Sequence, residues 1–264
     1  MELITVDKEM CRRDGICMAA CPTGCIKADD EGYPIPANEA ACIGCGHCVA
    51  ICPHGALENS RVPMAGFTPP SRERADLPAV AGLMKFRRSV RTFKDQAVPR
   101  ETLAELLDIA RFAPTAVNTQ QISYIVTLDP DKTRGLVDGV AEWMRANISK
   151  RPYFTRFVEE WDRGQDRILR GAPHVVVALG DASNDWGLTD AAIALSYLEL
   201  AAAAHGLGVC WAGLLQRALA NNPELAASIG VPAGKSICGA LMLGVPKYKY
   251  SLVPPRNPAK VSWL

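Results

Sequence analysis

Cysteine is concentrated at the amino-terminal end of this chain. Of ten cysteines among 264 residues, eight come before residue 53. Four of them follow the pattern C-x2-C-x2-C-x3-C-P, which the chain fills with Cys42, Cys45, Cys48, Cys52 and Pro53. Thiolates at this spacing hold iron–sulfur clusters, and the fourth cysteine of such a run ligates the other cluster where there are two. The pattern predicts one-electron transfer.

A second run precedes the first and has the same spacing, with an aspartate where the second cysteine would stand. It consists of Cys11, Asp14, Cys17, Cys21 and Pro22. Two runs in tandem predict two clusters with crossed ligation. The expected ligands are Cys42, Cys45, Cys48 and Cys21 for one cluster, and Cys11, Asp14, Cys17 and Cys52 for the other.

Asp14 determines the kind of cluster at the second of these sites. A carboxylate oxygen is a harder donor than a thiolate and holds iron less firmly. We therefore expect either a 4Fe-4S cluster with a labile, Asp-ligated iron or a 3Fe-4S cluster that lacks this corner. Asp14 followed by Gly15 is also an ordinary turn signal, which leaves open a turn-forming role without ligation. Cys25 would replace Asp14 only if the local backbone rearranged.

Zinc and disulfides fit these cysteines less well. A zinc site wants a second cysteine pair or histidines at finger spacing, whereas this chain has three closely spaced cysteines and a Cys-Pro. Disulfide frameworks belong to small secreted chains, and we find no apolar signal segment before Cys11. Reduced, metal-bound cysteines indicate the cytoplasm. Three cysteines are expected to pack as small buried hydrophobes, namely Cys25, Cys210 and Cys238.

Length and composition predict a small domain followed by a larger one, because 264 residues exceed the usual single-domain size of about 100–150. We place an iron–sulfur domain at residues 1–58, a proline-rich linker at 59–79 and the larger domain at 80–264. The prolines of the linker interrupt a polar stretch without hydrophobic periodicity, which is typical of a semi-rigid connector. The first domain has only two short strand candidates, Ile4–Val6 and Tyr33–Ile35, so metal binding must supply much of its folding free energy.

Charge and hydropathy exclude two classes of partner. The formal net charge is +1, from 29 basic and 28 acidic residues, so no global field favours nucleic acid or an anionic membrane. The longest apolar stretch, Ala191–Ala204, is interrupted by Glu199, and we predict no membrane-spanning segment. Hydrophobic residues make up 48% of the chain, which permits a sizeable core.

The larger domain has the pattern of an α+β fold. An amphipathic helix starts at Pro99 and ends before Pro114, two helices are expected between Asp131 and Arg170, and Thr189 caps a largely apolar helix that runs through His205. Four segments have strand character, namely Ile122–Leu128, Val175–Leu179, Leu207–Trp211 and Ser236–Leu243. Apart from the two cysteine runs we find no internal repeat.

Three segments of this domain carry residue types suited to a phosphorylated, flat ligand. Arginines and a hydroxyl between residues 87 and 91 suit a phosphate, although arginines at a helix end also complement the helix dipole. The loop with Asn118 and Gln120 offers amide donors and acceptors for the edge of a heteroaromatic ring, although a polar loop needs no ligand. The strand before Ala212 and Gly213 is edged by glycines, which leave room for a flat ligand.

In this order, and joined to Arg256 in a proline-rich carboxyl-terminal segment, these pieces resemble the nitroreductase-like family of FMN-dependent oxidoreductases. Residues 1–58 resemble a two-cluster bacterial ferredoxin. The resemblance implies an α+β homodimer with FMN at the subunit interface. It also implies FMN-binding roles for Arg87, Arg88, Ser89, Arg91, Asn118, Gln120, Ala212, Gly213 and Arg256.

One-electron carriers combined with FMN predict an iron–sulfur flavoprotein oxidoreductase. A low-potential donor, such as a ferredoxin, would supply electrons through two clusters to FMN and on to a nitroaromatic or quinone-like acceptor. Two alternatives remain: an electron-transfer or flavin carrier for a protein partner, and a flavoenzyme of the reductive dehalogenase or flavin-fragmenting type. No catalytic side chain is predicted. No G-x-G-x-x-G follows a strand, so no separate Rossmann site is expected.

Overall fold

The computed structural model describes residues 2–73 and 75–264. The described residues before Ala75, together with Val117–Thr119, form one compact unit, and the remaining residues form a second. Two residues from the predicted domain scheme lie outside the described residues, namely Met1 of the first domain and Arg74 of the linker.

The first unit is built from short elements. In chain order they are β1 (Ile4–Val6), α1 (Ile16–Ala19), β2 (Ile26–Ala28), β3 (Pro34–Pro36), α2 (His47–Ala50) and β4 (Leu57–Asn59). Strand β1 pairs antiparallel with β4, and β2 pairs antiparallel with β3. The small core combines aliphatic side chains with three of the cysteines, Cys17, Cys25 and Cys48. Because so few apolar residues are buried, metal binding by the cysteines would have to supply much of the folding free energy of this unit.

The two cysteine runs adopt the same local backbone, with corresponding residues 31 positions apart, as in Gly15 and Gly46. These glycines precede α1 and α2 with φ of 73° and 71°. Arg13 (φ 56°) and Gly44 (φ 60°) correspond in the same way. The left-handed region at Gly15 and Gly46 favours glycine, because a Cβ is disfavoured there. The sequence repeat is therefore a structural repeat, and it places Asp14 at the backbone position of Cys45.

The second unit contains seven helices and one sheet among its described residues. The helices are α3 (Leu77–Phe86), α4 (Arg100–Ala110), α5 (Pro130–Ala146), α6 (Phe154–Asp162), α7 (Gly187–Ala204), α8 (Gly213–Asn221) and α9 (Pro223–Ser228). The strands are β5 (Ser123–Val126), β6 (His174–Asp181), β7 (Gly208–Trp211) and β8 (Lys235–Gly244). They form an antiparallel sheet in the order β5-β6-β8-β7. The α+β prediction is confirmed.

The sheet forms the middle layer, with a hydrophobic core on each face. Along β6, Val175 and Val177 belong to one core, whereas Val176 and Ala178 belong to the other. Helices α5, α6 and α8 contribute to the first core, and α4 and α7 contribute to the second. The continuous apolar run in β6 is explained by burial on both faces.

Helix α7 starts two residues before the predicted cap at Thr189. The reason is an earlier turn, in which the side-chain oxygen of Asn184 accepts a hydrogen bond from the N–H of Trp186 at 2.9 Å. Among the described residues α7 is the one helix long and apolar enough to span a membrane by composition, with 44% of it buried in the protein. Its apolar character follows from its place in the core, since Ala191, Leu195 and Leu198 are buried there.

Gly208 permits a close contact between β7 and the arginine-rich segment at residues 87–91. A Cβ at Gly208 would lie 2.7 Å from the Cβ of Val90. Val90 N–H donates to the carbonyl oxygen of Val209 at 2.9 Å, which fixes the arginine-rich segment beside β7. We expect Gly208→Ala to lower the free energy of unfolding by about 1–3 kcal/mol, because overpacking displaces this segment.

Chemical denaturation followed by tryptophan fluorescence measures this effect, because all five tryptophans follow residue 79. Gly135→Ala in α5 is the matched control, since a Cβ there meets no atom within 4 Å. It should be neutral or stabilising by roughly 0.5–1 kcal/mol. Equal stability of the two variants would contradict the role of Gly208.

His174 introduces a pH dependence into the second unit. Its side chain is fully buried. Its Nε2 accepts the N–H of Val98 at 2.8 Å, and its Nδ1 donates to the carbonyl oxygen of Thr127 at 2.8 Å. Burial lowers the pKa of His174 below its ordinary value of 6.5. Because the unfolded chain then binds a proton that the folded chain does not, we expect stability to fall as the pH drops below about 6.5, with a slope approaching about 1.4 kcal/mol per pH unit.

His174→Gln provides the comparison, since its amide does not titrate. The variant should be less stable near neutral pH, and it should lack this contribution to the slope. Urea denaturation curves of both proteins across the acidic range give the two slopes. Identical slopes would show that His174 is not the group responsible.

Candidate iron–sulfur and flavin sites

Two cavities in the first unit are lined by the predicted cluster ligands. One is surrounded by Cys21, Cys42, Cys45 and Cys48, with Cys25 and Asn59 beside them. The other is surrounded by Cys11, Asp14, Cys17 and Cys52, with His54 beside them. Each cavity thus takes three side chains from one run and the last cysteine from the other. This is the grouping expected from crossed ligation.

Hydrogen bonds to sulfur accompany both cavities. The N–H of Cys25 donates to Cys21 Sγ at 3.2 Å, and the corresponding N–H of Ala56 donates to Cys52 Sγ at 3.4 Å. Burial alone would raise the pKa of Cys21, but the hydrogen bonds it accepts from Cys25 and Thr23 bring the pKa below the ordinary value. Such bonds favour the thiolate, the form that binds metals.

The other thiols need a compensating positive charge. Burial raises the pKa of Cys17 and of Cys48, so each is costly to ionise without a metal. Among the described residues, no three metal-ligating side chains converge on a point suited to a single ion. The soft donors instead surround a space, which fits a sulfide-bridged iron cluster.

Asp14 takes part in a turn and also lines its cavity. Its Oδ1 accepts the N–H of Ile16 at 3.1 Å, as expected of a turn-forming aspartate. Its Oδ2 lies 3.9 Å from Nε2 of His54. The turn-forming role and the ligand role are therefore compatible, because they use different oxygens.

Cys25 is buried, as are Cys210 and Cys238. Cys25 nevertheless lines the same cavity as Cys21. Its Sγ lies 3.0 Å from the hydroxyl oxygen of Thr23.

In the second unit a cavity of about 420 Å³ lies beside the arginine-rich segment, within the range of cofactor pockets. Its charged lining comes from Arg87, Arg88, Lys94, Glu199 and Lys249. Arg87 forms an ion pair with Glu199 at 2.5 Å, which neutralises its charge. Three positive side chains without this partner, Arg88, Lys94 and Lys249, give the cavity a basic character.

Arg88 carries an observation that points to a ligand. Its Nε is buried, and no hydrogen-bond acceptor is found for it among the described residues. Buried polar atoms in proteins normally have a partner, so an anionic group in the cavity would satisfy this nitrogen. The residues here fit a phosphorylated cofactor such as FMN, with Tyr248 and Tyr250 as aromatic walls.

The other predicted residues of the arginine-rich segment lie beside β7. Ser89 forms a parallel bridge with Val209. Arg91 approaches Arg170, a residue that the sequence reasoning missed. Burial, and then the positive charge of Arg91, lowers the pKa of Arg170. A second group of positive charges therefore lies near this segment, and nothing in the sequence pattern around Arg170 indicated it.

The loop predicted to read the flavin edge has an unusual backbone. Val117, Asn118 and Gln120 have φ of 46°, 55° and 49°, and non-glycine residues rarely adopt such values. Such conformations persist only where surrounding contacts hold them, and they cluster at functional sites. Asn118 belongs to the first unit, where its side chain donates to the carbonyl oxygens of Ile43 and Gly44 at 3.2 and 3.1 Å.

A buried carboxylate that the sequence reasoning missed fixes the ends of this loop. Asp190 in α7 is 2% exposed and accepts the N–H of Ala116 at 3.0 Å. Its second oxygen accepts Nε2 of Gln121, also at 3.0 Å. The N–H of Gln120 donates to the Thr115 hydroxyl. An acidic residue within an apolar helix was the available signal for Asp190.

The remaining predicted residues are spread over the second unit. The N–H of Ala212 donates to the carbonyl oxygen of Ala240 at 2.8 Å, so it is already engaged. Gly213 is the first residue of α8, where N–H groups lack an intrahelical acceptor. Arg256 is exposed in a segment without helix or strand. Of the nine predicted flavin residues, the structure brings Arg87 and Arg88 to the basic cavity.

Comparison with known proteins identifies the same two parts. Residues 84–245 match the model of the nitroreductase family, and residues 3–53 match that of a 4Fe-4S dicluster domain. The chain is similar to 5,6-dimethylbenzimidazole synthase of Rhodospirillum rubrum, with 28% identity over 70% of this chain and 88% of that protein. It is also similar to an FMN reductase (NADPH) of Bacillus subtilis, with 30% identity over 52% of this chain and 55% of that protein.

A solved structure shares the fold. A nitroreductase with bound FMN from Bacteroides fragilis aligns with a TM-score of 0.59 and 22% identity, over 70% of this chain and 97% of that chain. The resemblance drawn from the sequence motifs is confirmed. The chain belongs to the nitroreductase family, as an FMN-dependent oxidoreductase with an amino-terminal 4Fe-4S domain.

Proposed function

We propose that this protein passes electrons singly from a low-potential donor, through two iron–sulfur clusters, to FMN and on to an organic acceptor of the nitroaromatic or quinone-like class. The observation that carries the proposal is the crossed grouping of the two cysteine runs around two cavities. Delivery of hydride to a flavin does not need one-electron carriers, because hydride arrives as an electron pair, so two clusters support a partner that exchanges single electrons with the flavin.

For the clusters we propose the ligand sets predicted from the sequence, with a 4Fe-4S cluster at Cys21, Cys42, Cys45 and Cys48. The other site, with Cys11, Asp14, Cys17 and Cys52, would hold a 4Fe-4S or 3Fe-4S cluster. The corresponding domains are residues 1–58 and 80–264, joined by the linker 59–79. The hydrogen bonds to Cys21 and Cys52 support these sets, because they stabilise thiolate ligands.

For FMN we propose that Arg88 binds the phosphate through its buried Nε, with Lys94 nearby. Arg87 would be positioned by Glu199. Bound FMN supplies the conversion between one-electron and two-electron transfer, while the protein supplies binding and electrostatics. The open N–H at the start of α8, on Gly213, is the proposed hydrogen-bond donor to the ring.

The remaining predicted FMN contacts are retained as part of the proposal. Ser89, Arg91 and Arg256 would add to phosphate binding, and Asn118, Gln120 and Ala212 would lie along the ring or the ribityl chain. Membership of the nitroreductase family supports a homodimer and a small-molecule acceptor. We place the protein in the cytoplasm, where a ferredoxin or a similar protein would be the donor.

The similarity to 5,6-dimethylbenzimidazole synthase supports a second candidate, a synthase that forms a benzimidazole. This second candidate is distinguished by its product. If the protein is such a synthase, chromatography after incubation with reduced FMN in air would show a benzimidazole. The dicluster domain favours the electron-transfer function, because it adds one-electron carriers to the flavin domain.

The test is anaerobic turnover driven by reduced bacterial ferredoxin, with a nitroaromatic compound as acceptor. We expect the flavin absorbance to bleach with ferredoxin and to recover when the acceptor is added. Cys45→Ser should slow bleaching by ferredoxin by at least tenfold, because it removes a proposed cluster ligand. Stopped-flow absorbance measures both steps.

Cys238→Ser is the matched control, since Cys238 is a buried cysteine in the second unit. It should leave the ferredoxin-driven rate within about twofold of the wild type. Flavin that bleaches but never recovers with any small acceptor would overturn the reductase proposal in favour of an electron carrier. Equal rates for Cys45→Ser and the wild type would overturn the cluster route.

Asp14→Cys tests the proposed aspartate ligand. Because a thiolate holds iron more firmly than a carboxylate, the variant should retain more iron after brief exposure to air and should lose any 3Fe signal. Iron analysis and electron paramagnetic resonance of the oxidised protein measure the two effects. Unchanged iron content and spectra would show that Asp14 only forms the turn.

A further inference from the structure

A buried amide faces the sulfurs of one proposed cluster site. Asn59, at the end of β4, is 2% exposed. Its Nδ2 lies 3.9 Å from Cys42 Sγ and 3.8 Å from Cys48 Sγ. Its Oδ1 accepts the N–H of Arg61 at 2.9 Å. Since that N–H needs an acceptor, the oxygen is fixed on this side and the NH₂ group is directed at the two sulfurs.

The corresponding position of the other run has no such donor. Strands β2 and β4 occupy equivalent places in the repeat, and each ends at the residue in question. Counting back 31 residues from Asn59 leads to Ala28, so the amide is replaced by a methyl group. The side chain at this position therefore cannot donate a hydrogen bond to the sulfurs of Cys11 and Cys17.

Backbone hydrogen bonds do not create this difference. The N–H groups of Cys25 and Ala56 donate to Cys21 and Cys52 in the same way, one in each half of the repeat. The amide of Asn59 is an additional donor in one half only. It is also shielded from water, which strengthens its electrostatic effect.

Hydrogen bonds to the sulfurs are among the factors that set the potential of an iron–sulfur cluster. Reduction adds one electron and therefore one negative charge, which is spread partly over the sulfurs. A donor N–H directed at those sulfurs stabilises the reduced form more than the oxidised form, so the reduction potential rises.

We propose that Asn59 raises the reduction potential of the cluster held by Cys21, Cys42, Cys45 and Cys48. The step is a one-electron reduction, in which the ferredoxin-type donor loses one electron and the cluster gains it without bond cleavage or proton transfer. This inference rests on the proposed function, because it needs the clusters to be present.

The test is a potentiometric titration of the intact protein with dithionite, followed by electron paramagnetic resonance. Asn59→Leu keeps a similar volume and removes the donor. We expect the equilibrium constant for reducing the Cys42 cluster to fall about tenfold, which equals about 59 mV for a one-electron couple. The potential of the cluster at Cys11 and Cys17 should stay unchanged.

Ala28→Leu is the control at the equivalent strand end, because it introduces the same side chain at an exposed position and removes no donor. It should leave the potential of the Cys42 cluster unchanged. Asn59→Ala provides a second measurement with a smaller side chain, and it should shift the potential in the same direction as Asn59→Leu.

The outcomes separate this inference from the proposed function. If the variants keep their iron and sulfide and the Cys42 cluster keeps the wild-type potential, the role of Asn59 is overturned while the electron route stands. If the wild-type protein, prepared anaerobically, binds no iron and sulfide, the proposed function itself is overturned. A lowered potential in both Asn59 variants supports the inference.

Discussion

The first unit depends on bringing buried thiols from two separate runs around common cavities. Burial raises the pKa of Cys17 and Cys48, so ionising these thiols without a compensating charge is unfavourable. Under the proposed crossed ligation, iron would supply that charge and would tie the two halves of the unit to each other. The small aliphatic core could not do this alone, because its strands have only three residues each. With clusters bound as proposed, folding and cofactor binding would be one process in this unit.

Much of the fold could be predicted because local patterns determined it. Strand β1 has the predicted bounds, and β6 was recognisable from an apolar run that is buried on both faces. Helix boundaries were less predictable where a side chain just outside the apolar pattern stabilised a turn. Helix α7 starts early because Asn184 stabilises the preceding turn, a contact that the apolar periodicity does not encode. Likewise, Pro99 precedes α4 and does not form its first residue.

The two candidate sites differed in how far their residues could be predicted. The proposed cluster ligands lie within two short runs, so spacing alone grouped them. The candidate flavin site combines residues far apart in sequence, and its supporting contacts were not visible in any motif. Glu199 pairs with Arg87, which lies more than a hundred residues away in sequence. Asp190 likewise accepts a hydrogen bond from a residue distant in sequence, Ala116 at one end of the loop that contains Asn118. Both are acidic residues within an apolar helix, and such a residue needs a partner when it is buried.

A repeated backbone gives the first unit two equivalent frames, and side chains make them different. The equivalent turns at Gly15 and Gly46 place Asp14 and Cys45 at the same position relative to their cavities. One frame therefore offers a carboxylate where the other offers a thiolate. Two chemically identical clusters would leave an electron without a preferred position, whereas unlike ligands and unlike surroundings separate their potentials. Different side chains at equivalent positions of the two repeats can therefore give electron flow a direction. The backbone that positions the sulfurs stays the same in both repeats.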